Sequence, residues 1–446
     1  MPPKPDSIAA IATAPGRGGI GVVRVSGHDL AALAHNMVGK TLTPRLATYA
    51  SFVDAQGQIL DQGFVLFFPA PQSYTGEDVL EFQGHGGVAV LQLVLQRCLE
   101  LGARLAQPGE FTQRAFLNNK LDLAQAESVA DLIAATTSQS ARSAMRSLQG
   151  EFSQAIHHLV KQLIHLRMLV EAMLDFPEEE IGVLDIGRRD EQLKQLQQQL
   201  EHILNLAQQG SLLRQGAHIV LVGQPNVGKS SLLNCLSKED VALVSAIPGT
   251  TRDVLRQAIQ IRGVPLHIVD TAGLRESQDE VEQMGMARTH RAVEKADAIL
   301  IVMDSTVTAQ AENKKILNVL PPHIPRLYIH NKVDLLGRAA GEETLDEETH
   351  IYLSAKTGAG IERLQEKILT LIGWQQEAGV FMARERHLVA LRAARNHLQA
   401  ATRVIQFSEL LAEELRLAQE TLNSITGEFN ADDLLGEIFS SFCIGK

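Results

Sequence analysis

Residues 223–230 read Gly-Gln-Pro-Asn-Val-Gly-Lys-Ser and follow directly on the apolar run 218–222. This G-x-x-x-x-G-K-S/T spacing, between a predicted strand and a predicted helix, is typical of a phosphate-binding loop. Its glycines let successive backbone N–H groups turn towards a phosphate chain, Lys229 adds a positive charge, and Ser230 can offer its hydroxyl to Mg²⁺. The loop therefore predicts a nucleotide-binding site, without choosing the nucleotide.

Two further motifs indicate which nucleotide binds. Residues 270–273, Asp-Thr-Ala-Gly, end the apolar run 266–269, where the carboxylate can reach Mg²⁺ and the glycine amide can reach the terminal phosphate. Residues 331–334, Asn-Lys-Val-Asp, follow the predicted strand 326–330. The carboxylate of Asp334 would accept two hydrogen bonds from guanine, whereas adenine would face it with a lone pair. GTP rather than ATP is therefore the predicted nucleotide.

A fourth motif, Ser-Ala-Lys at residues 354–356, is predicted to supply a backbone contact near the base. The four motifs in this order resemble the GTPase domain of the TRAFAC class. Small signalling GTPases place a Gln directly after the Asp-x-x-Gly motif to orient the attacking water. Here that position is Leu274, which forms no hydrogen bond, so another group must place the water.

The segment after Leu274 is rich in acidic candidates for that task, and spacing does not choose among them. They are Glu276, Asp279, Glu280 and Glu282. The alternative interpretation is a solvated acidic loop. A charge-neutralising group is also needed: Arg252 and Arg275 compete for the role of an arginine finger. Asn226 and the carbonyls of the predicted switch loop 245–253 could instead form a hard-oxygen site for a weakly hydrated cation.

Four segments together identify a family. They are residues 15–21, 247–253, 281–285 and the C-terminal Cys-Ile-Gly-Lys at residues 443–446. Over nearly its whole length the chain is similar to the bacterial tRNA-modification GTPase family MnmE, also called TrmE. The resemblance implies that K⁺ replaces the arginine finger when two GTPase domains meet, and that Glu282 orients the water.

The resemblance and the motifs also imply the ligands of the nucleotide site. The implied Mg²⁺ ligands are Ser230 and Thr251, and the implied K⁺ ligands are Asn226, Ser245, Ile247 and Thr250. The predicted GTP contacts are Asn226, Val227, Gly228, Lys229, Ser230, Ser231, Ser245, Ala246, Ile247, Pro248, Gly249, Thr250, Thr251, Asp270, Thr271, Ala272, Gly273, Asn331, Lys332, Val333, Asp334, Ser354, Ala355 and Lys356.

For the N-terminal part, the resemblance implies a constitutive homodimer that binds 5-formyl-tetrahydrofolate or a related tetrahydrofolate. The implied contacts are Arg24, Glu81, Lys120 and Lys446. These residue types suit the ligand, because a carboxylate can accept from the two adjacent donors of a pterin edge and cations can meet glutamyl carboxylates. The alternative for Arg24 and Glu81 is that both are ordinary strand residues.

The family installs a carboxymethylaminomethyl group at C5 of the wobble uridine of certain tRNAs, with the carbon taken from the folate. The chain has no acceptable flavin or nicotinamide fingerprint, so the resemblance implies a flavoprotein partner, MnmG (GidA). Cys443 is a candidate nucleophile or acid; a packing role in the tail is the alternative. An RNA-binding GTPase of ribosome assembly without modification chemistry, and a purely regulatory switch, are the competing functions.

Composition indicates the cellular compartment in which the protein works. The chain has 446 residues, 45% of them hydrophobic, and its three cysteines have spacings that fit neither a disulfide framework nor a zinc site. No run reaches the ~18 apolar residues of a membrane helix, and residues 8–14 are too weak for a signal peptide. The cytoplasm, with no membrane partner, is therefore predicted. Cys98 and Cys235 are predicted to be core thiols.

A net charge of −11 argues against a chain coated with RNA. A local basic surface is predicted along residues 384–395, with Arg403 further on; a solvated helix face is the alternative. Residues 16–21 match the G-x-G-x-x-G spacing, but the strand 22–25 follows where a dinucleotide site requires a helix, so such a site is rejected.

The predicted fold is a multi-domain α/β protein. Residues 1–118 form an α+β domain that resembles a folate-binding domain and carries the dimer contact. Residues 119–215 and 379–446 are the two parts of an all-α helical domain, the second of which ends in the Cys-Ile-Gly-Lys motif. Residues 216–378 form an inserted, Ras-like P-loop GTPase domain with a mainly parallel sheet.

Overall fold

The computed structural model describes residues 6–175, 183–239, 256–270, 293–307 and 320–427, together with residues 438, 442 and 445. The chain forms two compact units. The first is drawn from residues 1–130, 147–190 and 397–446, and the second from residues 131–146 and 191–396. The domain boundaries predicted from the sequence differ from the boundaries of these units. They stay predictions.

The first unit contains a mixed sheet with helices beside it. Its described strands are β1 (Ile8–Ile11), β2 (Gly18–Gly27), β3 (Thr48–Val53), β4 (Ile59–Phe68), β5 (Asp78–Gly86) and β6 (Arg104–Leu105), in the order β3-β4-β5-β2-β1-β6. The accompanying helices are α1 (Ala31–Val38), α2 (Val88–Glu100) and α3 (Glu110–Leu117). Neighbouring strands are antiparallel except for β1 and β6. This is the predicted α+β architecture.

Alternation along the strands builds the core of this sheet. In β5, Leu80 and Phe82 are buried while Glu81 between them is half-buried on the other face, as the period of two requires. Helices α1 and α2 contribute Met37 and Cys98 to the same cluster, and both are fully buried. Residues 18–27 form one continuous strand, so the rejection of a dinucleotide loop at residues 16–21 is consistent with the fold.

Long helices lie between and after the two sheets in the sequence. The described ones are α4 (Leu123–Ala134), α5 (Ser138–Leu148), α6 (Glu151–Asp175), α7 (Val183–Gln215), α10 (Glu385–Arg403) and α11 (Ser408–Thr426). In α6 the fully buried residues recur every three or four positions, which is the helical period: Phe152, Ile156, Leu159, Leu163 and Leu166. Helix α11 packs on α6, and Arg167 donates to Gln419 across this contact at 2.8 Å.

The second unit contains the GTPase-like sheet. Its described strands are β7 (Ala217–Val222), β8 (Arg256–Ile261), β9 (Val264–Asp270), β10 (Ala298–Asp304), β11 (Arg326–Asn331), β12 (Gly341–Leu345) and β13 (Glu348–Tyr352), in the order β12-β13-β11-β10-β7-β9-β8. The helices beside them are α8 (Lys229–Glu239) and α9 (Ile361–Leu371).

The five central strands are parallel, and only the edge strands β8 and β12 are antiparallel to their neighbours. Strands covered on both faces read as continuous apolar runs, and in β10 the five residues from Ala298 to Val302 are all buried. The carboxyl ends of the parallel strands lie along one edge, which is where α/β sheets bind ligands. The predicted multi-domain α/β fold class with a mainly parallel GTPase sheet is confirmed. Among the described helices, none is long and apolar enough to cross a membrane.

Candidate functional site

The loop between β7 and α8 is shaped by two glycines that tolerate no side chain. At Gly223 a Cβ would collide with the carbonyl oxygen of Val302, and at Gly228, where φ is +96°, it would collide with Nδ2 of Asn331. The ammonium of Lys229 lies back over the loop and donates to the carbonyls of Gly223 and Gln224, at 2.6 and 3.2 Å. Ser230 and Ser231 are exposed in the first turn of α8. The two glycines therefore let the loop pack directly against the end of β10 and against Asn331.

Asn331 joins three of the predicted motifs. Its side chain is 2% exposed at the end of β11. Nδ2 donates to the carbonyl of Val227 in the phosphate loop at 2.8 Å, and Oδ1 accepts from the N–H of Ala355 at 3.0 Å. The Ala355 amide, predicted to lie near the base, is thus hydrogen-bonded to Asn331, and Ser354 beside it is buried. Residues separated by more than a hundred positions are brought together as the motif order predicts.

Asp334 is exposed at the start of a 3₁₀ turn, Val333–Leu336. Lys332 precedes this turn in a left-handed conformation with φ of +70°. That conformation reverses the chain after β11, so Asp334 stands at the same sheet edge as the phosphate loop. Lys356 is also exposed, in the segment that follows β13. The side chains needed to select a base are therefore accessible.

Asp304 is a site residue that the sequence reasoning missed. Its Oδ2 accepts from Nζ of Lys332 at 2.6 Å, and the same ammonium donates to the carbonyl of Asn226 at 2.7 Å. Burial alone would raise the pKa of the Asp304 carboxyl, but hydrogen bonds from Lys332 and Thr306 outweigh it and hold that pKa below its usual value. The signal was available: Asp304 ends an apolar strand, as Asp270 does.

Part of the predicted nucleotide site lies outside the described residues. These positions are Ser245, Ala246, Ile247, Pro248, Gly249, Thr250, Thr251, Arg252, Thr271, Ala272, Gly273, Leu274, Arg275, Glu276, Asp279, Glu280 and Glu282, and the same holds for Cys443 and Lys446. Of Asp270 the backbone is described: it ends β9 and pairs with Leu221 of β7, one residue before the end of that strand.

In the first unit, Arg24 and Glu81 face each other on the paired strands β2 and β5. The Nε and Nη2 atoms of Arg24 donate to Oε1 of Glu81 at 3.0 and 2.8 Å. The guanidinium lies 5.6 Å from the ring centre of Tyr74 and 5.9 Å from that of Phe111. Oε2 of Glu81 receives a longer bond of 3.3 Å from Gln83. The predicted pair therefore forms a charged, aromatic-lined patch.

Two further observations extend this patch. Lys120 is exposed and donates to the carbonyl of Pro71 at 3.1 Å, in the segment that leads to Tyr74. Gly445, with φ of +98°, packs so closely on the end of β1 that a Cβ there would lie 2.5 Å from the Ile11 oxygen and 3.1 Å from Cα of Ala12. The C-terminal tetrapeptide thus has one described residue beside the strand that pairs with β2.

Arginines of the predicted basic stripe along residues 384–395 are paired with carboxylates of the same unit. Arg384 donates to Asp131 at 2.9 Å, and Asp131 is only 6% exposed. Arg214, at the end of α7, reaches the same carboxylate at 2.9 Å. Arg392 pairs with Glu385 and Arg395 approaches Glu201. Arg384 is therefore held within the helices, whereas Arg392 and Arg395 remain partly exposed, and the predicted basic surface stays a prediction.

The two described cysteines differ from each other. Cys98 is fully buried, and burial raises the pKa of its thiol to about 12, which confirms the prediction of a core thiol. Cys235 is only half-buried in α8, so the same prediction was too strong there. Neither is placed at the candidate site.

Comparison with known proteins decides the family. Residues 7–120 match the family described as GTP-binding protein TrmE N-terminus, and residues 123–443 match the MnmE helical domain. The chain is 60% identical over 448 residues to the tRNA modification GTPase MnmE of Nitrosospira multiformis, with 99% of each chain covered. It is 57% identical over 444 residues to that of Chromobacterium violaceum, again with 99% of each covered.

The chain belongs to the MnmE family of tRNA modification GTPases. Among solved structures, Era of Aquifex aeolicus aligns at 24% identity over 41% of this chain and 66% of that chain, with a TM-score of 0.28. The FeoB G-domain of Methanococcus jannaschii aligns at 24% identity over 35% of this chain and 97% of that chain, with a TM-score of 0.26. As an MnmE-family member the protein is a GTP hydrolase of tRNA modification.

Proposed function

We propose that the protein is a K⁺-activated GTPase that installs the carboxymethylaminomethyl group at C5 of the wobble uridine of certain tRNAs. A tetrahydrofolate supplies the one-carbon unit, and a flavoprotein partner, MnmG (GidA), supplies the redox chemistry. The family assignment over 99% of the chain supports the proposal. The working form would be a homodimer in the cytoplasm, joined with the partner into a hetero-oligomer.

The described part of the nucleotide site fits this role. Asn331 ties the phosphate loop to the base motif, and Asp334 is accessible to guanine. Ser230 and Thr251 would hold Mg²⁺. The proposed K⁺ ligands are Asn226, Ser245, Ile247 and Thr250, and Glu282 would orient the attacking water. K⁺ supplies the positive charge that an arginine finger provides elsewhere.

Hydrolysis would change how two GTPase domains associate, because loops ordered around a terminal phosphate are released when that phosphate is lost. The proposed consequence is a conformational cycle that couples GTP turnover to the modification step. The alternative, a ribosome-assembly GTPase without modification chemistry, would share this nucleotide site. It would not need the charged patch of the first unit.

That patch is the observation that carries the proposal beyond the GTPase. Arg24 pairs with Glu81 and lies near the rings of Tyr74 and Phe111. Oε2 of Glu81 keeps capacity to accept from a pterin edge, since its bond from Gln83 is long. Arg24 would orient Glu81 at the pterin, and Lys120 and Lys446 would meet the glutamyl carboxylates at the other end of the folate. Gly445, the described residue of the C-terminal tetrapeptide, lies against the end of β1.

The deciding experiment is analysis of modified nucleosides in tRNA from a strain lacking the protein. Loss of the wobble modification is expected, and the wild-type gene should restore it. Arg24→Ala should fail to restore it. Arg97→Ala removes a sheltered arginine paired with Glu100 on α2 and should restore it fully. Unchanged wobble uridines in the deletion strain would reject the proposed chemistry and favour the assembly GTPase.

A further inference from the structure

Asp304 stands where three parts of the nucleotide site meet. It ends β10, which lies between β7, leading to the phosphate loop, and β11, leading to the guanine motif. Across the β10–β11 pairing its direct partner is Asn331. The next residue, Ser305, donates its N–H to the Asn331 carbonyl at 2.9 Å. The backbone therefore fixes this carboxylate at the ligand-binding edge of the sheet.

The two oxygens of Asp304 have separate partners. Oδ1 accepts from the N–H and the hydroxyl of Thr306, at 2.9 and 2.6 Å. Oδ2 is thereby turned towards Lys332, and it accepts a hydrogen bond from Nζ of Lys332 at 2.6 Å. The carboxylate is 15% exposed, so water screens this charge-assisted bond only in part. Asp304 thus sets the position of the Lys332 ammonium.

On its other side the ammonium reaches the phosphate loop. Nζ of Lys332 donates to the carbonyl oxygen of Asn226 at 2.7 Å. Asn226 and Lys332 both adopt left-handed conformations, with φ of +63° and +70°. Residues other than glycine keep this conformation where surrounding contacts hold them in it. A continuous chain of contacts therefore runs from Asp304 through Lys332 to Asn226.

We infer that Asp304 is a positioning residue that couples guanine recognition to the cation site at Asn226. Lys332 belongs to the motif that meets the base, and its ammonium holds the Asn226 peptide in place only while Asp304 orients it. Without the carboxylate, the ammonium turns to other acceptors and the carbonyl of Asn226 loses its hydrogen bond, which frees the backbone that carries the Asn226 side chain. The inference rests on the proposed function, because it takes Asn226 as a K⁺ ligand.

The test uses Asp304→Asn, which keeps the shape of the side chain and removes its charge. GTP turnover by the full-length protein is measured at saturating GTP over a series of K⁺ and Na⁺ concentrations. The half-saturating K⁺ concentration is expected to rise, and the ratio of turnover in K⁺ to that in Na⁺ to fall, each by roughly tenfold, a usual size for coupling between two sites.

A second variant guards against loss of folding. Thr306→Val removes the hydroxyl that holds Oδ1 but keeps the backbone N–H, and Thr306 is exposed, so packing is undisturbed. The same shift by roughly threefold is expected. The matched control is Asp346→Asn, which makes the same charge change at an exposed turn residue whose φ of +50° suits Asn. Its K⁺ dependence should equal that of the wild type.

The outcomes separate the inference from the proposed function. A wild-type protein with equal turnover in K⁺ and Na⁺ overturns both. A wild type that prefers K⁺, with the half-saturating K⁺ concentration unchanged in Asp304→Asn, overturns the inference alone. The inference is overturned by that result even if the affinity of Asp304→Asn for a GTP analogue falls. In that case Asp304 would contribute to binding the guanine base and not to the cation site. If Asp304→Asn does not fold, an unchanged K⁺ dependence in Thr306→Val has the same consequence.

Discussion

At the scale of single residues, Asn331 shows how the GTPase site is assembled. Its side-chain amide is nearly inaccessible to water, and both its atoms bind other segments, Val227 on one side and Ala355 on the other. A buried polar group that loses its partner leaves a desolvation cost of about 1–3 kcal/mol. Asn331 therefore stabilises the arrangement of the loops, while the exposed Asp334 remains for the base.

The base preference assigned to Asp334 has a direct test. Asp334→Asn should lower the affinity for GTP by more than about tenfold, because the amide cannot accept both hydrogen bonds of guanine. It should raise the affinity for xanthosine triphosphate, whose C2 carbonyl matches an amide donor. Fluorescent analogues of both nucleotides measure the change. Asp346→Asn is the control, and a GTP affinity that is equal in both variants would contradict the assignment.

A second residue-scale feature is a stack of rings on β11 and β13. His330 and His350 lie 2.9 Å apart between Nε2 and Nδ1, and Tyr328 and Tyr352 stack on either side of the pair. Burial, followed by the charges of His350 and Arg338, lowers the pKa of His330 to about 4. Burial also lowers the pKa of His350. Both rings are therefore neutral in the folded protein near pH 7.

This stack predicts acid sensitivity. In the unfolded chain His330 takes up a proton as the pH falls through 6.5, whereas the folded protein does so only near pH 4. The free energy of unfolding should therefore fall across this window and level off below it. Urea unfolding at about pH 7.5 and about pH 5 measures the loss. His330→Gln should reduce it and His323→Gln, at an exposed position, should not; equal losses would disprove the role of the stack.

At the scale of elements, the end of helix α7 is attached to the chain that leaves the GTPase sheet. The amide of Gln209 donates to the carbonyl of Gly373 and accepts from the N–H of Gln375, both at 2.9 Å. One turn later Arg214 shares the buried Asp131 with Arg384. Asp131 is only 6% exposed, so its charge depends on these two partners. The end of α7 therefore leads into β7 and also binds the segment that follows the GTPase sheet in the sequence.

Gly210 tests this attachment. A Cβ at Gly210 would collide with the carbonyl oxygen of Phe381 and lie 3.2 Å from the Ala383 nitrogen, and both are backbone atoms. Gly210→Ala should therefore destabilise the protein by about 1–3 kcal/mol, despite the better helix propensity of alanine. Gly187→Ala in the same helix meets nothing within 4 Å and should stabilise it by up to about 1 kcal/mol.

The measurement is the midpoint of urea unfolding followed by circular dichroism. Opposite signs for the two glycine variants are expected. If both variants stabilise the protein equally, the close approach of α7 to residue 381 does not exist in solution. If both destabilise it, the effect belongs to the helix in general and not to this contact.

At the scale of the whole molecule, the two proposed ligands belong to different compact units. The charged patch around Arg24 lies in the first unit, and the described phosphate loop and guanine motif lie in the second. A ligand stabilises the state that binds it, by about 2.7 kcal/mol at a hundred times its dissociation constant. Each ligand should therefore protect its own unit.

Hydrogen exchange measured with each ligand in turn checks this expectation. With 5-formyl-tetrahydrofolate, protection should rise along β2, β5 and α3, and Arg24→Ala should abolish that rise. With a non-hydrolysable GTP analogue, protection should rise around β7 and α8, equally in Arg24→Ala and the wild type. Folate protection that survives Arg24→Ala would remove this residue from the proposed site.

The chemistry and the order of the central elements could be predicted from the sequence, because they are encoded in short contiguous patterns. The phosphate loop after β7 and the Asn-Lys-Val-Asp motif after β11 each combine an apolar run with the side chains that follow it. Such a pattern predicts a strand that ends at a ligand, and parallel strands bring those ends together.

Pairings over long sequence separations were decided only by the tertiary structure. The contact of Arg384 with Asp131, that of Asp304 with Lys332 and the facing of Arg24 and Glu81 depend on which strands and helices become neighbours. No local pattern carries that information, since charge and spacing look the same on a solvated face and in a buried pair. Asp304 was therefore overlooked, and the basic surface predicted along residues 384–395 stays a prediction.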